Sequence, residues 1–508
     1  MAPTSLFSLE TTLHSSTLFL IFLPFLFFIL KHFKPSFLFK SPSLPPGPFQ
    51  WPVVGNIFQI GNNPHTVYAR LAQTYGPLFS LKLGTQLVVV GSSPEVAMEI
   101  LKTQDRNLSA RYVPHVVTPP KISEANNLSA GIGWIDCTNS RKNLRTICRM
   151  ELFSGKEINF QACVRDQKIA EMLEFVHKEQ GKEVKIKELA LATILNMMGN
   201  ILVSRDVVNL VQECVTGEMC EVVKDMIDVT SAPNISDFYP ILRLFDLQGL
   251  LKRVTELSIR LCKLWLPIIQ ERNAEKETKE DASSPRDFLD VLIKNGANHD
   301  QINTLFMELF TAGTETSSAT VEWTMTELVR NPKSMKMVRE ELAREIKQQA
   351  VKESDLPKLT YLDACVKEIL RLHPPGPLLL PHRAAETCQL MNYTIPKDTQ
   401  VIVNFWAIGR DPKYWEDPLV FKPERFLNSN LDFRGNDFEF LPFGSGRRMC
   451  PGMPMAVKHV PLIIASLIHS FDWSLSQGND PNDIDMTEKY GHSMRKIESL
   501  VLVPKAKI

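Results

Sequence analysis

The stretch from Asp300 to Arg330 has the length and composition of a single long helix, and between Leu309 and Val321 its only formal charge is Glu315. A helix of small and apolar residues on all sides has no solvent face, so other elements must enclose it. The chain can supply them. Its 508 residues suffice for a large core, and residues 160–270 place apolar side chains at i, i+3 and i+4, the helical period. Pro233 to Pro240 breaks that run, and the charged residues 271–286 read as an exposed loop. Strand signals are short: Leu78 to Val90 with Gly84-Thr85 as its turn, Tyr393 to Ile395, and Val401 to Phe405. Pro94 to Thr103 reads as a short helix, and residues 105–130 as a long irregular loop. The expectation is a mainly α fold with small β-sheets, with no internal repeat and no clear boundary inside the body of the chain.

Two polar features interrupt this apolar scaffold. Ala312-Gly313-Thr314-Glu315-Thr316 lies inside the long helix. Gly313 costs helix stability, which is compensated where a ligand must approach the backbone. A buried threonine beside a buried carboxylate can hold water and pass protons. Taken alone, the patch is also what a tolerated polar stretch in a helix looks like. The second feature is Phe443-Gly444-Ser445-Gly446-Arg447-Arg448-Met449-Cys450-Pro451-Gly452. Its glycines permit a tight loop against a flat ligand, and Pro451 suits the first position of a helix. Cys450 then falls at the N-cap, where free N–H groups push a thiol toward the metal-binding thiolate. A lone buried cysteine in a Gly-rich turn is otherwise inert. The nine cysteines are odd in number and scattered without a C-x-x-C pair, which argues against a disulfide framework and for a reducing compartment.

The pattern Phe-x-x-Gly-x-Arg-x-Cys-x-Gly, filled at every fixed position, closely resembles the cysteine-ligand loop of the cytochrome P-450 (haem-thiolate monooxygenase) family. Glu368-x-x-Arg371 and Pro423-Glu424-Arg425-Phe426 resemble two more of its motifs, in the family's order. The resemblance implies the cytochrome P-450 fold with haem b as cofactor and Cys450 as its axial metal ligand. It implies catalytic roles for Thr316 and Glu315 in oxygen activation and proton delivery. It also implies a structural triad of Glu368, Arg371 and Arg425 that braces the cysteine loop, whereas periodicity alone makes Glu368 and Arg371 a solvated ion pair of little worth. Cofactor contacts fall to Arg145, Arg383, His382, Phe443, Arg448 and Gly452. One position departs from the pattern: the family's Trp-Arg-x-x-Arg places tryptophan where this chain has Arg141. An arginine there can also bind a carboxylate, or be part of a solvated basic helix face.

The first thirty residues predict an anchor. Thr11 to Leu30 carry no charge, and Lys31, Lys34 and Lys40 follow. Twenty uncharged residues just span a bilayer, and the basic flank keeps the rest of the chain cytosolic. Residues 31–48 read as a basic, Pro-rich linker and 49–508 as one catalytic domain. The charges balance, 57 − 57 = 0, and nothing in that balance suggests nucleic acid. The resemblance implies an endoplasmic reticulum membrane protein that oxidises a small apolar or amphipathic substrate with O2. Its electrons come from NADPH-dependent cytochrome P-450 reductase, which Lys142, Arg145, Arg149, Arg447 and Lys458 can face. Leu441 to Cys450 and Asp472-Trp473 are most similar to the plant microsomal group containing N-methylcoclaurine hydroxylase, littorine mutase and geraniol hydroxylase. That implies an alkaloid as substrate, with rearrangement of the littorine mutase kind, phenol coupling, or hydroxylation of a monoterpenoid such as geraniol as alternatives.

Overall fold

The computed structural model describes residues 43–117, 131–210, 218–278, 286–476 and 480–507. The expected anchor over residues 1–30 and most of the linker lie outside the described residues. Five helices position the site: α1 Asn139–Glu151, α2 Ile186–Val203, α3 His299–Arg330, α4 Thr360–Leu372 and α5 Met453–Ser470. The long helix thus forms as its composition predicts. It starts at a capping box in which Asn298 and Gln301 each satisfy the other's backbone N–H. It packs along α2, buried over nearly its whole length, and against α4 and α5. Both α2 and α5 are apolar enough to cross a bilayer, but α2 is 89% buried in the protein and α5 56%. Their composition follows from core packing. Phe306, Phe310 and Trp323 of α3 are fully buried, and Trp265 stacks on Phe310 at 5.5 Å between centroids.

The strands are few. The largest sheet has five: β1 Leu78–Leu83, β2 Gln86–Gly91, β3 Ala110–Arg111, β4 His382–Arg383 and β5 Gln400–Val403, in the order β1-β2-β5-β4-β3. Only the β2–β5 pair is parallel. Its far edge brings Arg111 opposite His382, 271 positions apart in sequence but adjacent in register.

Besides the helical turn Asp105–Leu108 and strand β3 inside the expected 105–130 loop, three segments differ from their sequence reading. Residues 271–278 continue the helix Leu250–Thr278 instead of joining the charged loop. The proline segment from Ser43 is not a free spacer: Ser80 of β1 donates its backbone N–H to Pro46 and its hydroxyl to Pro45. A Cβ on Gly47 would lie 1.8 Å from the Ser80 carbonyl oxygen, so only glycine lets the segment lie so close to the strand. The helix after the cysteine starts at Met453 with Gly452 at its N-cap, two residues later than Pro451 suggests.

Candidate active site

Cys450 is therefore not the N-cap. Its own N–H donates to the Phe443 carbonyl at 2.9 Å, closing the Gly-rich loop on itself. The thiol still meets the helix start, because the Gly452 and Met453 N–H groups point at it. Burial pushes the thiol above its ordinary pKa; those two N–H groups and Arg145 partly offset this. Helix-terminus donors alone do not overcome desolvation here, and a bound cation would supply the missing stabilisation of the thiolate. Gly444 (φ +69°) and Gly446 (φ +65°) occupy the left-handed region that the tight loop requires. A Cβ on Gly452 would sit 3.9 Å from the Cys450 sulfur, on the thiol's own side. Phe443 packs edge-on against Phe433.

Although enclosed in the fold, the Cys450 side chain keeps open surface. So does Ala312 in the middle of α3, and Thr316 one turn later is only partly covered. The Thr316 hydroxyl donates to the Ala312 carbonyl at 2.7 Å. Glu315 is buried and turned to the other side of the helix, where Lys187 of α2 meets it at 2.5 Å and Arg495 at 3.6 Å. Its Oε2 has no hydrogen-bond partner among the described residues. A Cβ on Gly313 would touch only Met198, at 3.7 Å, so no close backbone contact within the protein requires this glycine.

Glu368 and Arg371 are fully buried, contrary to their helical periodicity. Arg371 forks onto Glu368 at 2.7 and 2.8 Å, and Arg425 Nε reaches the same carboxylate at 3.0 Å. The Lys422 N–H adds a fourth donor at 2.9 Å. The segment from Gly409 to Val420 folds over this face of α4 and gives its carbonyls to the two arginines. An ion pair on the outer side of a helix thus becomes the anchor of the region that leads to the cysteine loop.

The remaining predicted residues gather into a basic cluster. Arg145 of α1 donates to the Met449 carbonyl at 2.6 Å, beside the thiol. Arg448 Nε donates to the Ser109 carbonyl at 2.7 Å, while its NH1 and NH2 are buried without a partner among the described residues. His382 holds the Leu108 carbonyl through Nδ1 at 2.7 Å; burial and the Arg111 charge push its pKa down to about 3, so it is neutral at physiological pH. Arg141 is 3% exposed, which excludes the solvated-face reading. Arg383 has a bracing position: its three guanidinium nitrogens donate to the Arg111 carbonyl, Asp398 and Asp136.

Two residues of the site are not legible as such in the sequence. Arg111 falls in a stretch that reads as irregular loop, yet it is buried among Arg141, Arg145 and Arg448. Glu308 lies two helical turns before Thr316, on the same face as Ala312, a spacing that marks it once the helix face is known. Its carboxylate accepts the N–H groups of Ile132, Gly133 and Trp134 at 2.7, 3.1 and 3.4 Å. A Cβ on Gly131 would lie 2.4 Å from its Oε1. Burial raises the Glu308 pKa, and the three N–H donors oppose this.

A thiol with open surface and a cluster of arginines without ion pairs, Arg448 keeping two buried nitrogens without acceptors among the described residues, fit a flat metal complex with acidic side arms. The cytochrome P450 family model matches residues 45–503. The chain belongs to the cytochrome P450 family. Its P450 relatives include (S)-N-methylcoclaurine 3'-hydroxylase isozyme 1 of Eschscholzia californica, 48% identical over 92% of this chain and 95% of that one. Corytuberine synthase of Coptis japonica is 46% identical over 92% and 95%. A zebrafish P450 determined with abiraterone superposes with a TM-score of 0.71 at 25% identity, covering 88% of this chain and all of the other. The P450 fold is thus mainly helical with small sheets, the cofactor is haem iron with a thiolate ligand, and the enzyme is a monooxygenase.

Proposed function

We propose that this P450 hydroxylates a small plant alkaloid at a haem held by the Cys450 thiolate. The observation that carries the substrate class is the 46–48% identity, over more than nine-tenths of the chain, to enzymes named for the 3'-hydroxylation of N-methylcoclaurine. When bound, a thiolate-ligated haem supplies O–O bond cleavage. The chain's own residues provide the setting. Cys450 is the ligand, and Arg145, Arg448, His382 and Arg111 face the acidic edge of the cofactor. Thr316 holds a proton at the open face of α3. Glu315 is the buried acid behind it, restrained by Lys187 and Arg495 and able to carry a proton only when it turns from them.

The enzyme works at the endoplasmic reticulum membrane, held by residues 11–30, with reductase as its electron donor. Supporting this, Phe49 (70% exposed), Trp51 and Phe58 form an apolar surface just after the anchor. Tyr239, whose hydroxyl donates to the Val53 carbonyl, ties it to the apolar turn Ile241, Leu244 (93% exposed) and Phe245. Exposed apolar clusters of this kind mark protein or membrane contact sites. Lys142 and Arg149 are exposed on the helix that carries Arg145, in keeping with an acidic reductase docking near the thiol. Arg145 itself is turned inward.

Corytuberine synthase, named for its product, favours a second reading in which the enzyme couples or rearranges the alkaloid. The full-length enzyme with reductase, NADPH and isotopically heavy O2 decides between them, using (S)-N-methylcoclaurine and then geraniol as substrates. One heavy oxygen in an alkaloid product supports hydroxylation. An alkaloid product without it supports coupling or rearrangement, and turnover of geraniol alone overturns the alkaloid reading. Cys450→Ala should lose the red-shifted Soret band of the reduced carbon-monoxide complex, and its survival would refute the ligand assignment.

A further inference from the structure

We propose that Arg141 is a direct haem-carboxylate ligand, so that the acidic edge of the cofactor is held by four arginines: Arg111, Arg141, Arg145 and Arg448. This rests on the haem-thiolate reading above. Elsewhere in the protein the buried arginines meet carboxylates: Arg165 with Glu353, Arg272 with Asp287, Arg371 with Glu368, and Arg495 with Asp228. At the thiol this rule fails. Among the described residues, Arg111, Arg141, Arg145 and Arg448 form no ion pair, although the first two are 5% and 3% exposed and Arg448 is 8% exposed. Each is held by neutral acceptors. Arg111 donates to the Gly133 and Leu380 carbonyls, Arg145 to Met449 and Arg448 to Ser109. Arg141 donates to the Ile132 carbonyl at 2.9 Å and to the Cys137 sulfur at 3.8 Å.

Asp136 attracts Arg448 only through space and forms no ion pair with any of the four. Its Oδ1 takes the Arg111 backbone N–H at 2.8 Å, and its Oδ2 is committed to Arg383 at 2.6 Å. Glu308, the other acid nearby, attracts Arg141 through space but spends its carboxylate oxygens on three backbone N–H groups and forms no ion pair with it. Unpaired buried charges of one sign are unfavourable and persist only where an anion completes them. A ligand with two carboxylates supplies such an anion, and the guanidinium fork matches a carboxylate in two-point geometry. Arg141 is central to the cluster, because its charge acts on each of the other three. Its two fixed hydrogen bonds aim the group before any ligand arrives.

The competing role is purely structural: through the Ile132 carbonyl, Arg141 clamps the segment that Glu308 holds from the other side. Haem and its dimethyl ester, which lacks the carboxylate charges, separate the two. The rate of haem transfer from the holoenzyme to apomyoglobin is measured for both cofactors in the native protein, Arg141→Gln and Arg141→Lys. The charge-assisted contact predicts that Arg141→Gln releases free-acid haem about tenfold faster than the native protein, with no more than about a twofold difference for the ester. Arg141→Lys, which keeps the charge, should stay within about threefold of native for both. Equal acceleration with both cofactors, or none with free-acid haem, overturns the proposal. If the Gln variant yields no holoprotein, Arg141→Met, which keeps the length and removes the charge, is measured in its place, and equal acceleration with both cofactors overturns the proposal. A normal reduced carbon-monoxide spectrum throughout shows the thiolate reading intact whichever way the ratio falls.

Discussion

Replacing Glu368 with glutamine tests whether the buried triad holds the cysteine loop. The substitution keeps the volume and removes one charge. Four donors converge on that carboxylate, three from guanidinium nitrogens at 2.7–3.0 Å and one from the Lys422 N–H. Arg371 has no exposed surface and no other carboxylate within reach among the described residues. Hydrogen bonds to charged groups contribute about 1.5–3 kcal/mol each, but bonds sharing one acceptor do not add. Orphaning one partner of a buried pair costs about 3–5 kcal/mol, a large part of a typical total of about 5–15 kcal/mol. The expected outcome is a folded-to-unfolded ratio lowered by about two to four orders of magnitude. It is read from urea unfolding of the holoenzyme followed by circular dichroism. Arg425→Gln should cost less, about 1–2 kcal/mol, because Arg371 still compensates Glu368. A Glu368→Gln protein within about 1 kcal/mol of native, or one more stable than Arg425→Gln, would refute the reasoning.

Two further outcomes follow from single side chains. Burial raises the Glu322 carboxyl to about 7; among the described residues the Leu500 N–H is its one donor and Oε2 is unpartnered. Because the folded state favours the protonated form, its contribution to stability is present at acid pH and lost as pH rises from the ordinary carboxylate range through about 7. Glu322→Gln should flatten that decline, and unchanged pH dependence of thermal unfolding would show that Glu322 does not cause it. Gly446→Ala places a Cβ 2.2 Å from the Leu101 carbonyl at φ +65°; it should cost at least about 1–3 kcal/mol and lower haem content. Gly249→Ala, at φ +64° with nothing within 4 Å of the new Cβ, is the control for backbone strain alone. Equal losses in the two variants would dismiss the steric argument.

Most of the elements and the order of the motifs are legible from the chain alone, because both depend on neighbours in sequence. A run of small and apolar residues with one charge calls for an enclosed helix, and α3 spans His299–Arg330 much as composition dictates. The glycines of the cysteine loop announce their left-handed backbone because no other residue adopts it cheaply. What depends on distant segments had to wait for the fold. Glu368 and Arg371 look solvated on their own helix, and only the segment from Gly409 to Val420, packed over them, makes them a buried anchor. Arg111 reads as loop until β3 pairs with β4 and sets it beside residues 271 positions later. Arg141 is the sharpest case. On its own helix it is one more basic residue, and tertiary packing removes it from water beside three other arginines, with Glu308 attracting it only through space and no ion pair among the described residues. Local sequence fixes what a side chain is, but burial and the charges gathered around it decide what it can bind.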